Sequence, residues 1–128
     1  MPLSVLNSWK QDAHRFYPSF HIYIHHDQDF NTREASFHSW KSNLNLQKRS
    51  QGTIPVHVFM TTYEMAMIDN KMLSHKHLFS DGYMIVDEAH RLKNRASKLF
   101  RHLEKISSLG RILLTGTPLQ NNLGMNSM

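Results

Sequence analysis

The feature that most constrains the fold of this chain is the alternation of short strand-like segments with helix-like segments. Period-two alternation or β-branched and aromatic runs mark residues 20–24, 56–60, 83–86 and 112–114 as strands. Apolar spacings of three and four predict helices over residues 4–16, 32–46, 61–68 and 94–106. Strands that alternate with helices favour βαβ units, so we predict an α/β fold with a doubly wound, mostly parallel sheet and flanking helices.

The same patterns predict caps and buried side chains. Ser4 is expected to cap the first helix, Pro18 to end it, and Thr61 or Thr62 to cap the third. The clearest loop lies at residues 47–55. Apolar residues at helical spacing are expected in the core: Leu6, Trp9, Ala13 and Phe16 of the first helix, Ala35, Trp40 and Leu44 of the second.

Composition narrows the classes of protein that this chain can be. Its 128 residues suit one domain, and the absence of cysteine excludes a disulfide scaffold, a thiolate metal site and a cysteine nucleophile. No apolar run is long enough to span a bilayer, and residues 1–10 do not form a secretory signal. The 15 basic and 10 acidic residues give a net charge of +5, which suits either a nucleic-acid partner or a solvated basic surface.

The ten histidines raise the question of a metal site. His25-His26 and the pair His75 and His77 are the densest groups, but neither has the spacing that zinc sites use. We therefore expect exposed loop histidines and no structural metal.

The strongest chemical signal is the apolar segment 83–86, of the kind that is buried in a parallel sheet, followed directly by Asp87 and Glu88. Ligands bind at the carboxyl ends of strands in parallel α/β sheets. Asp87 could hold a hydrated Mg²⁺, which prefers a few carboxylate oxygens plus water. Glu88 could position or deprotonate an attacking water. The alternative is a strand that ends in an ordinary polar loop.

A second group of small polar residues follows the last predicted strand, at Thr115, Gly116 and Thr117. Glycine allows a sharp turn or a close backbone approach. The two threonine hydroxyls could hydrogen-bond His90 or Glu88 across neighbouring strand ends. A plain β-turn explains this segment equally well.

These residues resemble the first RecA-like lobe of the Swi/Snf-type chromatin-remodelling ATPases of helicase superfamily two. Residues 87–94 (Asp-Glu-Ala-His-Arg-Leu-Lys-Asn) look like motif II of that family, and residues 113–122 look like motif III. Residues 61–64 are similar to motif Ib, and residues 2–6 together with Trp9 are similar to the end of motif Ia. The matches occur in family order and cover roughly residues 2–123.

The resemblance implies ATP with Mg²⁺ as the nucleotide substrate and cofactor of the full-length protein. Asp87 would act through Mg²⁺, and Glu88 would be the hydrolytic base. His90, Thr115, Gly116 and Thr117 would couple motif II to motif III.

The resemblance also implies double-stranded DNA and nucleosomes as partners, and the nucleus as the location. Ser4, Thr61 and Thr62 would face the sugar-phosphate backbone of the DNA. Hydroxyls and backbone amides suit phosphate contacts, which position a protein without reading sequence. Such contacts fit an enzyme that translocates on DNA of any sequence.

The chain departs from the family pattern in several places. None of its five glycines precedes a lysine, so the phosphate loop Gly-x-x-x-x-Gly-Lys-Thr and its strand are missing, as is the second lobe. Residues 1–123 would form a partial ATP-binding lobe and residues 124–128 a divergent tail. We expect a segment of a DNA-dependent ATPase that is inactive by itself, with an unpaired edge at 112–114 that makes it marginally stable or prone to aggregation. The alternative is a truncated, non-catalytic product that binds DNA weakly or competes with the full-length remodeller.

Overall fold

The structure is a computed structural model that describes residues 3–52, 57–93 and 97–114, without the side chains of Leu3, Ser4 and Arg91. Helices and strands alternate along most of this length, as the sequence predicts. The elements are α1 (Leu3–Phe16), β1 (His21–His25), α2 (Phe30–Gln51), β2 (His57–Thr61), α3 (Tyr63–Ile68), α4 (Asn70–Ser74), β3 (Tyr83–Val86), α5 (Lys98–Glu104) and β4 (Gly110–Leu113). Short 3₁₀ turns lie at His75–His77 and Ala89–Leu92.

The chain divides into two compact units, residues 1–65 and 66–128. In the first unit β1 pairs with β2 in parallel, with His21 opposite His57 and His25 opposite Thr61. In the second unit β3 pairs with β4 in parallel, with Val86 opposite Leu113. Both pairs are parallel and are joined through helices, so the predicted mixed α/β class with parallel strands is confirmed.

The first unit is built around aromatic rings that α2 and the two strands contribute. Phe37 of α2 is fully buried and contacts the Phe59 ring edge-on at 6.1 Å. Trp40 stacks on Tyr23 of β1 at 5.3 Å between ring centroids. Aromatic residues carry large apolar areas, so a few rings supply most of this core.

Helix α2 is longer than the sequence pattern predicts. It begins after Asp29, whose side chain caps it by accepting a hydrogen bond from the Thr32 N–H. It ends at Gly52, which adopts a left-handed conformation (φ 71°) and donates its N–H to the Lys48 carbonyl at 3.0 Å. The predicted loop at 47–55 is therefore wrong for residues 47–51, because the polar segment there contains no helix breaker before Gly52.

Several predictions for α1 and α2 also need correction. Helix α1 begins at Leu3, so Ser4 lies in its first turn and not at its N-cap. Leu6 is fully buried, but Trp9 and Phe16, which share its predicted face, are 37% and 64% exposed. On α2 Ala35 is exposed, and Phe37 takes the central place that we expected for Trp40. Periodicity predicts the side of a helix, but not how far along its length that side is covered.

The second unit packs buried aliphatic residues of α4, β3 and α5. Leu73, Val86, Leu99 and Leu103 form this core. The side chain of Asn70 ties α4 to α5 by donating from Nδ2 to the His102 carbonyl at 2.8 Å.

One face of the β3–β4 pair is exposed. Tyr83, Ile85 and Ile112 are 68%, 56% and 46% exposed, so the prediction that segment 83–86 is wholly buried is wrong for this face. None of the helices within the described ranges has the length and apolar character needed to cross a bilayer.

Candidate active site at the end of strand β3

Asp87 and Glu88 follow β3 directly, at the carboxyl end of the strand, and both are half-buried. The Asp87 carboxylate accepts a hydrogen bond from the Glu88 backbone N–H, with Oδ1 and N 3.0 Å apart. Glu88 adopts a left-handed conformation (φ 54°, ψ 47°), one of three non-glycine residues with positive φ in the described structure. The chain therefore turns sharply where the two carboxylates lie.

Two backbone hydrogen bonds tie this turn to the neighbouring strand. Leu114 donates its N–H to the Val86 carbonyl at 2.8 Å, and it accepts from the Ala89 N–H, also at 2.8 Å. Ala89 is 1% exposed, so this link is shielded from solvent. These two hydrogen bonds therefore hold the ends of β3 and β4 side by side. Asp87 and Glu88 lie between Val86 and Ala89, the two residues that bond to Leu114.

Most of the segment that resembles motif III lies outside the described residues. Leu114 brings the chain to this edge of the sheet, but Thr115, Gly116 and Thr117 lie outside the described residues. His90 is exposed in the 3₁₀ turn Ala89–Leu92. Coupling of His90 to Thr115 therefore stays a prediction.

The residues predicted to face DNA belong to the other unit, where both threonine hydroxyls have partners within the protein. Thr61 donates from Oγ1 to the His25 carbonyl at 2.8 Å. The buried Thr62 accepts from the Met65 N–H at 3.1 Å, which confirms the predicted cap of α3. A hydroxyl can both donate and accept, so each retains capacity for a phosphate oxygen or a donor. The Ser4 side chain is not described.

The prediction that His25 is an exposed loop residue is wrong. It ends β1, is 1% exposed and stacks on the Phe59 ring at 5.4 Å, while its carbonyl holds Thr61. The alternation of apolar residues in this strand predicts that Ile22 and Ile24 face the core. The sequence pattern therefore does not show that the opposite face, with Tyr23 and His25, packs on α2.

No cluster of three or more His, Asp or Glu side chains in the described part of the chain is arranged to hold a metal ion. A hydrated Mg²⁺ does not require such a cluster, since it keeps several waters and takes one or two carboxylates. The adjacent carboxylates of Asp87 and Glu88 have the donor chemistry that such an ion accepts.

The chain resembles known proteins along almost its whole length. It is 40% identical to the human (Homo sapiens) Lymphoid-specific helicase over 95% of the chain. It is 38% identical to ATP-dependent DNA helicase DDM1 of Arabidopsis thaliana, also over 95% of the chain. It spans only 13% and 15% of the lengths of these two relatives.

A solved structure shows the same fold. The Sulfolobus solfataricus SWI2/SNF2 ATPase core, solved in complex with double-stranded DNA, matches 95% of this chain with a TM-score of 0.63 and 27% identity. The match covers 21% of that ATPase chain.

Parallel strands joined by helices define an α/β protein, and its candidate site, the adjacent carboxylates at a strand end, lies where such sheets bind ligands. The model of the SNF2-related domain matches residues 1–125. The chain belongs to the SNF2-related family.

Proposed function

We propose that this chain is part of the ATP-binding lobe of a DNA-dependent ATPase that remodels chromatin in the nucleus by translocating along double-stranded DNA. The observation that carries the proposal is the position of Asp87 and Glu88, at the end of β3 beside the end of β4, in a chain of the SNF2-related family. Nucleosomes are the proposed target of the full-length protein.

In this proposal Glu88 is the hydrolytic base. It accepts a proton from water as the water oxygen bonds to the γ-phosphorus of ATP and the bond to the β–γ bridging oxygen breaks, which releases ADP. Asp87 would hold Mg²⁺ through water, and the ion would neutralise charge on the phosphate oxygens when bound. The hydrogen bond from the Glu88 backbone N–H to the Asp87 carboxylate fixes the Asp87 side chain relative to the backbone of Glu88.

Coupling to DNA would pass through the paired strand ends. The hydrogen bond between Ala89 and Leu114 joins the turn after β3 to the end of β4, so a displacement of the turn would also displace the end of β4. His90, Thr115, Gly116 and Thr117 are proposed to extend this link. Such a link gives nucleotide state at Asp87 and Glu88 a physical route to the segment that follows β4.

The DNA-facing residues are proposed to be Ser4, Thr61 and Thr62. Thr61 is half-buried and is fixed by the His25 carbonyl, so its hydroxyl has a set direction. The net charge of +5 favours binding of a polyanion but does not distinguish one DNA sequence from another. Contacts of this kind suit movement on any DNA sequence.

Substitution of Glu88 tests the catalytic role. In the full-length protein, Glu88→Gln keeps the size of the side chain but removes the base, so we expect ATP turnover to fall by about 100-fold or more while ATP binding persists. Glu34→Gln, on helix α2 and half-buried like Glu88, is the matched control and should leave turnover unchanged. Normal turnover of the Glu88 variant would refute the role.

A second candidate function is a shorter, non-catalytic product that binds DNA weakly or competes with the full-length remodeller. The net charge of +5 would support DNA binding whether or not the chain takes part in ATP hydrolysis. An antibody raised against residues 98–111 separates the two candidates on a blot of a cell extract. A band far above 15.0 kDa supports the ATPase, and a single band near 15.0 kDa supports the shorter product.

A further inference from the structure

A serine and a histidine meet at the surface of the second unit, away from Asp87 and Glu88 in sequence. The Ser107 hydroxyl lies 2.9 Å from Nδ1 of His77, and the pair joins the 3₁₀ turn His75–His77 to the connection between α5 and β4. The hydrogen bond is exposed to solvent, so a modifying enzyme can reach the hydroxyl.

An open depression of about 380 Å³ lies beside this pair. Ser107 lines it together with Arg111, and Glu104 is its acidic member. Arg111 donates from Nη2 to the Leu103 carbonyl at a long 3.5 Å, which uses one of the five N–H groups of the guanidinium. Lys105, two residues before Ser107, adds a further exposed positive charge nearby in sequence.

The neighbouring Ser108 also lines the depression, but its environment differs. Its hydroxyl donates to the Gly110 carbonyl at 3.2 Å, within its own loop. Ser107 instead bonds to the imidazole ring of His77, whose nitrogens can donate to a phosphate oxygen. Of these two adjacent serines, only Ser107 is hydrogen-bonded to a histidine ring within the described structure.

We propose that Ser107 is a phosphorylation site whose phosphate is bound by His77 and Arg111. A protein kinase that prefers basic flanking residues would supply the phosphate from ATP. The Ser107 oxygen bonds to the γ-phosphorus, the bond to the β–γ bridging oxygen breaks, ADP leaves and the hydroxyl proton goes to the kinase base. A phosphate carries two negative charges at most and three acceptor oxygens, enough to accept from both the His77 ring and the Arg111 guanidinium despite Glu104.

The consequence is local. Lys76 and His77 hold consecutive left-handed conformations (φ 53° and 51°), which cost free energy and make this turn easy to open. A phosphate bound by His77 ties the turn to the segment that leads into β4. The site is independent of the proposed ATPase site.

The first test compares Ser107→Ala and Ser108→Ala in the full chain, incubated with a basic-directed serine kinase and ATP and analysed by mass spectrometry. We expect Ser107→Ala to lose most of the phosphate incorporated between residues 105 and 111, and Ser108→Ala to retain it. Incorporation that survives Ser107→Ala, or that disappears with Ser108→Ala, overturns the assignment. Circular dichroism confirms that each variant is folded.

The second test measures hydrogen exchange in full chains that carry genetically encoded phosphoserine at position 107 or 108. Phosphoserine at 107 should slow exchange of the amides of residues 76–80 by about tenfold, the effect of one added charge-assisted hydrogen bond. Phosphoserine at 108 should not, and His77→Ala should remove most of the effect. Unchanged exchange with phosphoserine at 107 overturns the proposed binding of the phosphate.

Discussion

Glu88 occupies a backbone conformation that glutamate rarely adopts. Its left-handed φ and ψ (54° and 47°) cost an L-residue roughly 1–2 kcal/mol. The hydrogen bond to Asp87 before it and the Ala89–Leu114 hydrogen bond after it hold the strained residue in place. Conformations of this kind cluster at functional sites, where the surrounding structure maintains them.

We predict that Glu88→Gly stabilises the protein while removing the proposed base. Glycine adopts positive φ without strain, although it adds about 0.5–1 kcal/mol of unfolded-state entropy, so the expected net gain is about 0–1.5 kcal/mol. Glu64→Gly on helix α3 should instead lower the free energy of unfolding by about 0.5–1 kcal/mol. Urea unfolding of both variants measures this difference in sign, and a loss of stability at both positions would contradict it.

At this scale the sequence predicts chemistry better than conformation. An apolar segment that ends in Asp87-Glu88 is visible in the sequence because strand ends and carboxylates are local features. The strain at Glu88 and the burial of His25 depend on contacts with distant residues such as Leu114 and Phe59. No local pattern encodes those contacts.

Among the elements, the β1–β2 pair has one histidine at the start of each strand, and the two lie in register. His21 and His57 stack at 4.9 Å between ring centroids, and Nε2 of His57 lies 2.9 Å from the Gln47 side-chain oxygen of α2. Burial, and secondarily the nearby His21, lower the pKa of His57 below its ordinary value of 6.5. Protonation of this histidine therefore works against the folded pair.

We predict that acid weakens this unit through His57. Because the pKa of His57 is lower in the folded chain, its contribution is fully present above pH 6.5 and is lost as the pH falls below that value. The free energy of unfolding should therefore drop less between pH 7.5 and pH 5.5 in His57→Gln than in the wild type. His14→Gln, on the exposed end of α1, is the control and should match the wild type.

Equal pH dependence in His57→Gln and the wild type would contradict the assignment. The histidine pair itself was not predicted from the sequence, because its register requires knowing that β1 and β2 are neighbours. The elements were easier: strand 83–86 has its predicted bounds, and the other three strands differ from the predicted ones by one or two residues at each end. The end of α2 was missed because the helix continues through the polar residues 47–51, where the apolar periodicity has already ended, and stops only at Gly52.

For the molecule as a whole, the β3–β4 pair leaves a strip of apolar side chains in solvent. Ile85 and Ile112 are opposite each other in the parallel register, and Tyr83 lies on the same face. A two-stranded sheet is marginal in water, and an apolar sheet face promotes association. We therefore expect the isolated 128-residue chain to associate.

Ile112→Lys should reduce that association. A lysine on this face adds charge and solvation where self-contact would occur, so the sedimentation coefficient should depend less on protein concentration than in the wild type. Leu46→Lys changes a leucine on α2 that is 60% exposed, compared with 46% for Ile112, and serves as the control. A sharp, reversible melt of a wild-type monomer would contradict the expectation of association.

The fold class and family follow from features spread over the whole chain: alternating elements, parallel pairing and motifs in order. They were predictable because each rests on local pattern or on spacing. The pairing of β1 with β2 and of β3 with β4 within separate units was not predicted, since single-sequence periodicity carries no information on which strands are adjacent.

The most direct test of the proposed function is the rate of ATP hydrolysis by the native polypeptide that contains this chain, with and without double-stranded DNA. The proposal predicts hydrolysis that rises with DNA of any sequence and whose DNA dependence weakens as salt is added. Hydrolysis that DNA does not stimulate, or no hydrolysis by a polypeptide with intact Asp87 and Glu88, would contradict it.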